Sequence, residues 1–174
     1  VICYDIKFEE DFHRTVKTDW NTNGIFDPEF MNKKMKYCSK DTIFGHGWGQ
    51  PNRHFIYAYE GTKIVGVLKI KIKGEDSCGN PGFCNWVDYI TVDPDYKNKG
   101  IATTLIKMMF EYLKEKGETH MLASGYSTFG FHFLRNKLNT LAKEYSINFK
   151  DEDTIGFPDR DQEKVIEELF GKAA

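Results

Sequence analysis

Ile101, Leu105, Met108 and Tyr112 fall at i, i+4, i+7 and i+11, the apolar stripe of an amphipathic helix, and Gly117 stands where such a helix can end. Immediately upstream, Asn85 to Val92 reads as a strand stopped by Asp93-Pro94. Strand, short turn and strong helix stand in that order, and what they imply for the fold depends on the elements around them. Ile2 to Phe8 reads as a first strand. His54 to Tyr59 and Ile64 to Lys73 flank Glu60-Gly61-Thr62-Lys63 as a hairpin. Thr119 to Ser124 reads as a strand, and Leu134, Leu138, Leu141 and Tyr145 mark a helix from about Thr128 to Tyr145. Ile147 to Phe149 and Thr154 to Phe157 read as short strands. A closing helix from Asp159 to Phe170 is expected to turn Val165, Ile166, Leu169 and Phe170 inward. This order implies a mixed sheet with crossovers.

The remaining stretches are less patterned. Glu9 to Asn23 is mixed, and Asp27-Pro28-Glu29 reads as the start of a helix running to about Tyr37. Ser39 to Arg53 is Gly-rich and aromatic around His46 and Trp48, which suits a long surface loop, and Gly74 to Gly82 is a second loop. Within Ile64 to Lys73, period-2 alternation puts Ile64, Gly66, Leu68, Ile70 and Ile72 on one face and Lys69, Lys71 and Lys73 on a solvated one.

At 174 residues the chain is expected to form one domain, 1–174, with a sizeable core. Lys plus Arg is 24 against 26 for Asp plus Glu, a formal charge of −2, so no basic field advertises nucleic acid or an anionic membrane. No apolar run approaches the roughly 20 residues that span a bilayer. The first residues lack the basic and apolar regions of a secretion signal, and they also lack an initiator Met, so an earlier start is left open. Cys3, Cys38, Cys78 and Cys84 are too scattered for a disulfide framework, which fits a reducing cytoplasm. Cys78 and Cys84, with His46 and His54, lack the spacing of a zinc site, so no metal is expected.

The turn between strand and helix carries the chemistry. A helix start exposes unpaired N–H groups and the positive end of the dipole, an anion site suited to pyrophosphate. Gly100 and Ala102 would let backbone approach phosphates, Lys97 and Lys99 add charge, and Thr103 adds a hydroxyl. No Walker loop occurs, and one glycine stands where a dinucleotide fingerprint needs three.

This stretch resembles the signature of the GNAT acetyltransferase superfamily, Arg/Gln-x-x-Gly-x-Gly/Ala after a strand ending in Val-x-Pro. Lys97, Gly100 and Ala102 occupy the defined positions, with Lys97 replacing Arg or Gln, after Val92-Asp93-Pro94. The resemblance covers about Ile2 to Tyr145. It implies a mixed, mostly antiparallel sheet with a central splayed parallel strand pair, flanked by helices, a CoA-binding core at about 54–145, and a C-terminal extension at about 146–174 with its own helix. It also implies acetyl transfer from acetyl-CoA to an amine in a ternary complex. Ile90 and Val92 would hold the pantetheine and polarise the thioester, and Lys97, Asn98, Lys99, Gly100, Ile101, Ala102 and Thr103 would take the pyrophosphate. In place of the family's Asn-x-x-Ala-x-x-Phe/Leu-Tyr the chain has Ser127-x-x-Gly130-x-x-Phe133-Leu134. Ser127 keeps a hydrogen-bonding group for the pantetheine arm, whereas Leu134 stands where the family's acid Tyr would be.

The reaction needs an amine to lose a proton and a thiolate to gain one. His132 lies about 200° around a helix from position 134 and points elsewhere. Tyr126, at the exit of the fifth strand, is the expected acid. Trp86 replaces the glutamate that many relatives carry on the fourth strand, and Asp88, two residues on and so on the same strand face, is the expected base, directly or through water. Trp86, Trp48, His46, Tyr57 and Tyr59 are candidates for the acceptor pocket. The expected acceptor is the primary amine of a small molecule or peptide, and a homodimer is left open. Two alternatives stand beside this reading: a CoA-binding regulatory domain without turnover, and a toxin that acetylates charged tRNA.

Overall fold

The computed structural model describes residues 1–8, 54–61, 63–73, 84–96, 98–123, 125–158 and 160–171. The expected helix at 27–37, the Gly-rich loop at 39–53 with His46 and Trp48, the loop at 74–82, Cys38, Cys78, Lys97 and Ser124 lie outside them. Strands β1 (Cys3–Phe8), β2 (His54–Glu60), β3 (Lys63–Lys71), β4 (Trp86–Val92), β5 (His120–Ala123) and β7 (Asn148–Lys150) form one sheet in the order β1-β2-β3-β4-β5-β7. β1 to β4 pair antiparallel, while β4–β5 and β5–β7 are parallel. β6 (Tyr126–Ser127) pairs parallel with β8 (Ile155–Phe157) in a separate ribbon. Helices α1 (Ile101–Glu115), α2 (Arg135–Glu144) and α3 (Arg160–Phe170) complete the described elements.

The hairpin β2–β3 turns at Gly61, whose φ of 60° lies in the left-handed region that glycine enters without penalty. α1 covers one sheet face. Ile101, Leu105, Ile106, Met109, Phe110 and Leu113 are buried, and they belong to one core with Ile56, Ala58, Leu68 and Ile70. Gly66, in the middle of β3, makes that seat: a Cβ there would stand 2.8 Å from Ile101 Cγ2. The helix ends at Gly117, φ 74°, as its position in the sequence implied.

Two expectations are corrected. Lys69 does not lie on a solvated face; it is 1% exposed, because β3 is buried on both sides, with Val65 and Val67 as inaccessible as Leu68 and Ile70. On α3, Ile166 is buried but Val165 and Phe170 are exposed, so the helix touches the rest of the chain along a narrower stripe than its sequence suggested. The side chain of Leu169 is outside the described residues.

His54 lies beneath α1, its ring 5.2 Å from that of Tyr112. Burial, aided by the Lys116 ammonium, lowers its pKa from 6.5 to about 4. As pH falls below about 6.5 an unfolded chain takes up a proton that the native histidine refuses until about 4, so native stability drops across that window and is unaffected above it. Between pH 7 and pH 5 this one group should cost about 2 kcal/mol, and urea titrations of wild type and His54→Phe should differ by that much in their pH dependence.

Candidate active site

Among the described residues β4 and β5 pair at Trp86↔Leu122 and Val87↔Ala123, and none of β5 is in register beside Asp88 to Val92. The closed end of this V is fastened by Asn85, which is fully buried. Its Oδ1 accepts the Lys73 N–H at 2.7 Å, its Nδ2 donates to the His120 carbonyl at 2.8 Å and to Glu118 at 3.1 Å, and its own carbonyl accepts the Leu122 N–H. Losing that amide would orphan buried backbone groups at about 1–3 kcal/mol each, so this end of the strand pair is fixed.

At the mouth, the chain leaves β4 through buried Asp93. Its N–H donates to the Val65 carbonyl at 2.8 Å, and its Oδ1 accepts the Asp95 N–H at 2.8 Å. One tight turn (Pro94–Tyr96) follows, with Asn98 at φ 60° and Gly100 at φ 76°, and then α1 begins. α1 has no side-chain cap and no acid in its first turn, so the N–H groups at its start keep their affinity for an anion. Among the described residues nothing lies within 4 Å of where a Cβ of Gly100 would stand. Ile101 is buried and anchors the helix, whereas Asn98 and Lys99 are exposed and Ala102 and Thr103 half-exposed. The Lys99 ammonium lies 4.9 Å from the centre of the Tyr96 ring, whose hydroxyl donates to Glu60 at 2.9 Å. Ile90 and Val92 thus lie at the end of β4, and Asn98, Lys99, Gly100, Ile101, Ala102 and Thr103 on the turn and helix start that follow it.

Ser127 caps the next helix: its Oγ accepts the Gly130 N–H at 3.0 Å and keeps its own proton to donate. The helical run from Thr128 to Glu144 is widened at Gly130–Leu134, where Arg135 N–H reaches back five residues to the Gly130 carbonyl. His132 is exposed there, and Leu134 is half-buried.

Tyr126, the expected acid, lies just past β5 and has a carboxylate partner of its own. It is 8% exposed, and its hydroxyl donates to Asp151 Oδ2 at 2.6 Å; Arg135 Nε meets the same oxygen at 3.1 Å and its Nη2 meets Asp153 at 3.0 Å. Burial first, and then Asp151, push the phenol well above its ordinary pKa. Burial alone would raise Asp151 too, but the Tyr126 bond and Arg135 hold that carboxyl below its usual range. A phenol whose proton is committed to a carboxylate is a poor donor to a thiolate. Tyr126→Phe should therefore cost about 2 kcal/mol in a urea melt while lowering turnover less than tenfold; a larger loss of kcat at unchanged cofactor affinity would restore the acid role.

Asp88 stands at a bulge. Lys69 opposes Tyr89 and Ile70 opposes Val87, so Asp88 is the extra residue on β4. Its Oδ2 is 3.9 Å from the Lys69 ammonium, which puts it on the Lys69 face. Trp86, opposite Lys71, shares that face. Tyr57 is buried on β2, its hydroxyl donating to Asp5 at 3.3 Å and its ring 5.8 Å from that of Tyr59. Burial first, then Asp5, raise the Tyr57 pKa. Among the described residues no three His, Cys, Asp or Glu side chains are grouped to hold a metal, and no helix is long and apolar enough to cross a membrane. The burial of Lys69, the fastening by Asn85 and the close approach at Gly66 are not legible in the sequence, where a lone glycine inside a strand is the one available signal.

No curated protein is matched by the sequence. Among solved structures the chain is similar to a ribosomal-protein-alanine N-acetyltransferase from Brucella melitensis biovar Abortus 2308, at 15% identity and TM-score 0.46, over 100% of this chain and 93% of that one. It is similar to an aminoglycoside acetyltransferase from an uncultured soil metagenomic sample, at 16% identity and TM-score 0.46, over 83% and 86%. It is also similar to the catalytic domain of a Tetrahymena histone acetyltransferase in complex with coenzyme A, at 10% identity and TM-score 0.46, over 79% and 75%. Residues 17–130 match the sequence model of the acetyltransferase (GNAT) family, and that span contains the whole β4–turn–α1 segment. The chain belongs to the GNAT family of acetyltransferases.

Proposed function

We propose that this protein transfers the acetyl group of acetyl-CoA to a primary amine of a small molecule or peptide, by direct attack with both substrates bound. The observation that carries the reading is the parting of β4 from β5 above a helix start with no side-chain cap, where no described residue lies within 4 Å of a Cβ at Gly100. A pyrophosphate would take the N–H groups of Ile101, Ala102 and Thr103, with Lys97 and Lys99 supplying charge. Ile90 and Val92 would pair their backbone with the pantetheine amides, and Ser127 would donate its free proton to the same arm. Acetyl-CoA supplies an activated carbonyl; a β4 N–H in the V would stabilise negative charge gathering on its oxygen.

Asp88 is proposed to accept the amine's proton, directly or through water. With Leu134 in the family's acid position and Tyr126 bonded to Asp151, the departing sulfur has no phenol in this scheme; the one proton that a neutral amine gives up on attack passes to Asp88, and the sulfur leaves as a thiolate that is protonated afterwards from Asp88 or water. Those two residues also support a second reading, a CoA-binding domain without turnover. Thiol release from acetyl-CoA across a panel of amines, alongside calorimetric titration with CoA, separates the two. Release with at least one amine supports the transferase; tight CoA binding without release supports the regulatory domain; no CoA binding overturns both.

A further inference from the structure

The sequence reading left Lys69 on a wet strand face, but it is among the most deeply buried large side chains, 1% exposed. An ammonium is rarely buried so far unless a carboxylate meets it, and here Asp88 does, from the bulge of β4 beside the open V. Resting on the function proposed above, in which Asp88 faces the acceptor, we propose that Lys69 makes the acceptor site selective for weakly basic amines, the class of peptide and amino-acid α-amino groups, over strongly basic alkylammonium groups.

The reasoning is electrostatic. A strongly basic acceptor arrives as a cation and would have to share the Asp88 carboxylate with an ammonium already 3.9 Å from one of its oxygens. Two cations on one carboxylate repel, and the cost is largest where water is scarce. Lys71, two residues along β3, adds a second positive group to the same face. An amine that binds neutral avoids the repulsion and still has Asp88 to receive its proton during attack. An α-amino group, with a pKa of about 8, reaches the neutral form far more cheaply at physiological pH than a lysine-like amine near 10.4. Lys69 is thus a specificity-determining residue acting through Asp88, and it touches no reacting atom.

The test uses one short peptide in two forms, each with a single free amine: the α-amine free and its lysine side chain acetylated, or the reverse. kcat/KM is measured for both at pH 7.5 with wild type, Lys69→Met and Lys69→Arg. The expected result is an α-over-ε preference in wild type that shrinks at least tenfold in Lys69→Met and is kept in Lys69→Arg. A folded Lys69→Met with normal CoA affinity and an unmoved ratio overturns the assignment. Should Lys69→Met fail to fold, wild type alone is tested with a series of primary amines of one shape and graded basicity. A fall in kcat/KM of about tenfold per unit of basicity above the working pH supports binding of the neutral amine, and a flat series overturns it. No thiol release with any amine defeats the proposed function and this inference with it, whereas turnover with an unmoved ratio defeats the Lys69 assignment alone.

Discussion

Gly100→Val is expected to cost this protein its cofactor while leaving the fold standing. Two effects combine at that position. The residue sits at φ 76°, where a β-branched side chain is strained by about 1–3 kcal/mol. Its Cβ would also enter space that no described residue occupies, directly in front of the uncapped N–H groups of α1. The strain alone can be measured elsewhere on the same helix. Gly117, at φ 74° and likewise with nothing described within 4 Å, closes the opposite end of α1, where the dipole repels anions. Gly117→Val should lose similar stability and bind CoA as wild type does. Gly100→Val should weaken CoA binding at least 100-fold by calorimetry, about 2.7 kcal/mol, at a comparable melting temperature. Equal CoA affinities in the two folded variants would remove the pyrophosphate from the α1 start.

That segment was legible in the sequence because everything that shapes it is local. The 3.6-residue period, Asp93-Pro94 and the glycines at 100 and 117 act within a few residues of themselves, so strand, turn and helix fell where their punctuation put them. Lys69 was misplaced because alternation was taken to mean one wet face, an inference that fails in a strand buried on both sides. Tyr126 has a hydrogen bond that is illegible in the sequence for a different reason. Its position beside the fifth strand was foreseeable, but its partner Asp151 is 25 residues away and reaches it only through the β6–β8 pairing. Asn85 likewise draws on Lys73 and on Glu118 and His120, two segments that no local pattern brings together. The widening at Gly130–Leu134 left no mark in the apolar spacing, since Leu138 and Leu141 remain buried beyond it.

Asp88→Asn is expected to lower kcat by about 10²–10⁴, the range for loss of a positioned proton acceptor, with CoA affinity changed less than twofold. The difficulty in reading such a result is Lys69. Removing the carboxylate's charge breaks a buried ion pair from one side, which costs on the order of 3 kcal/mol, so inactivity could reflect a damaged sheet rather than missing chemistry. A double-variant cycle separates the two causes. Lys69→Met/Asp88→Asn removes both charges together, which should recover most of the stability lost in Asp88→Asn because the pair is replaced as a whole rather than broken from one side. Turnover should stay low in the double variant, since an amide at position 88 cannot take a proton however well the strand packs. If activity returns along with stability, Asp88 is a structural carboxylate that holds Lys69 in place, and the proton acceptor lies elsewhere around the V.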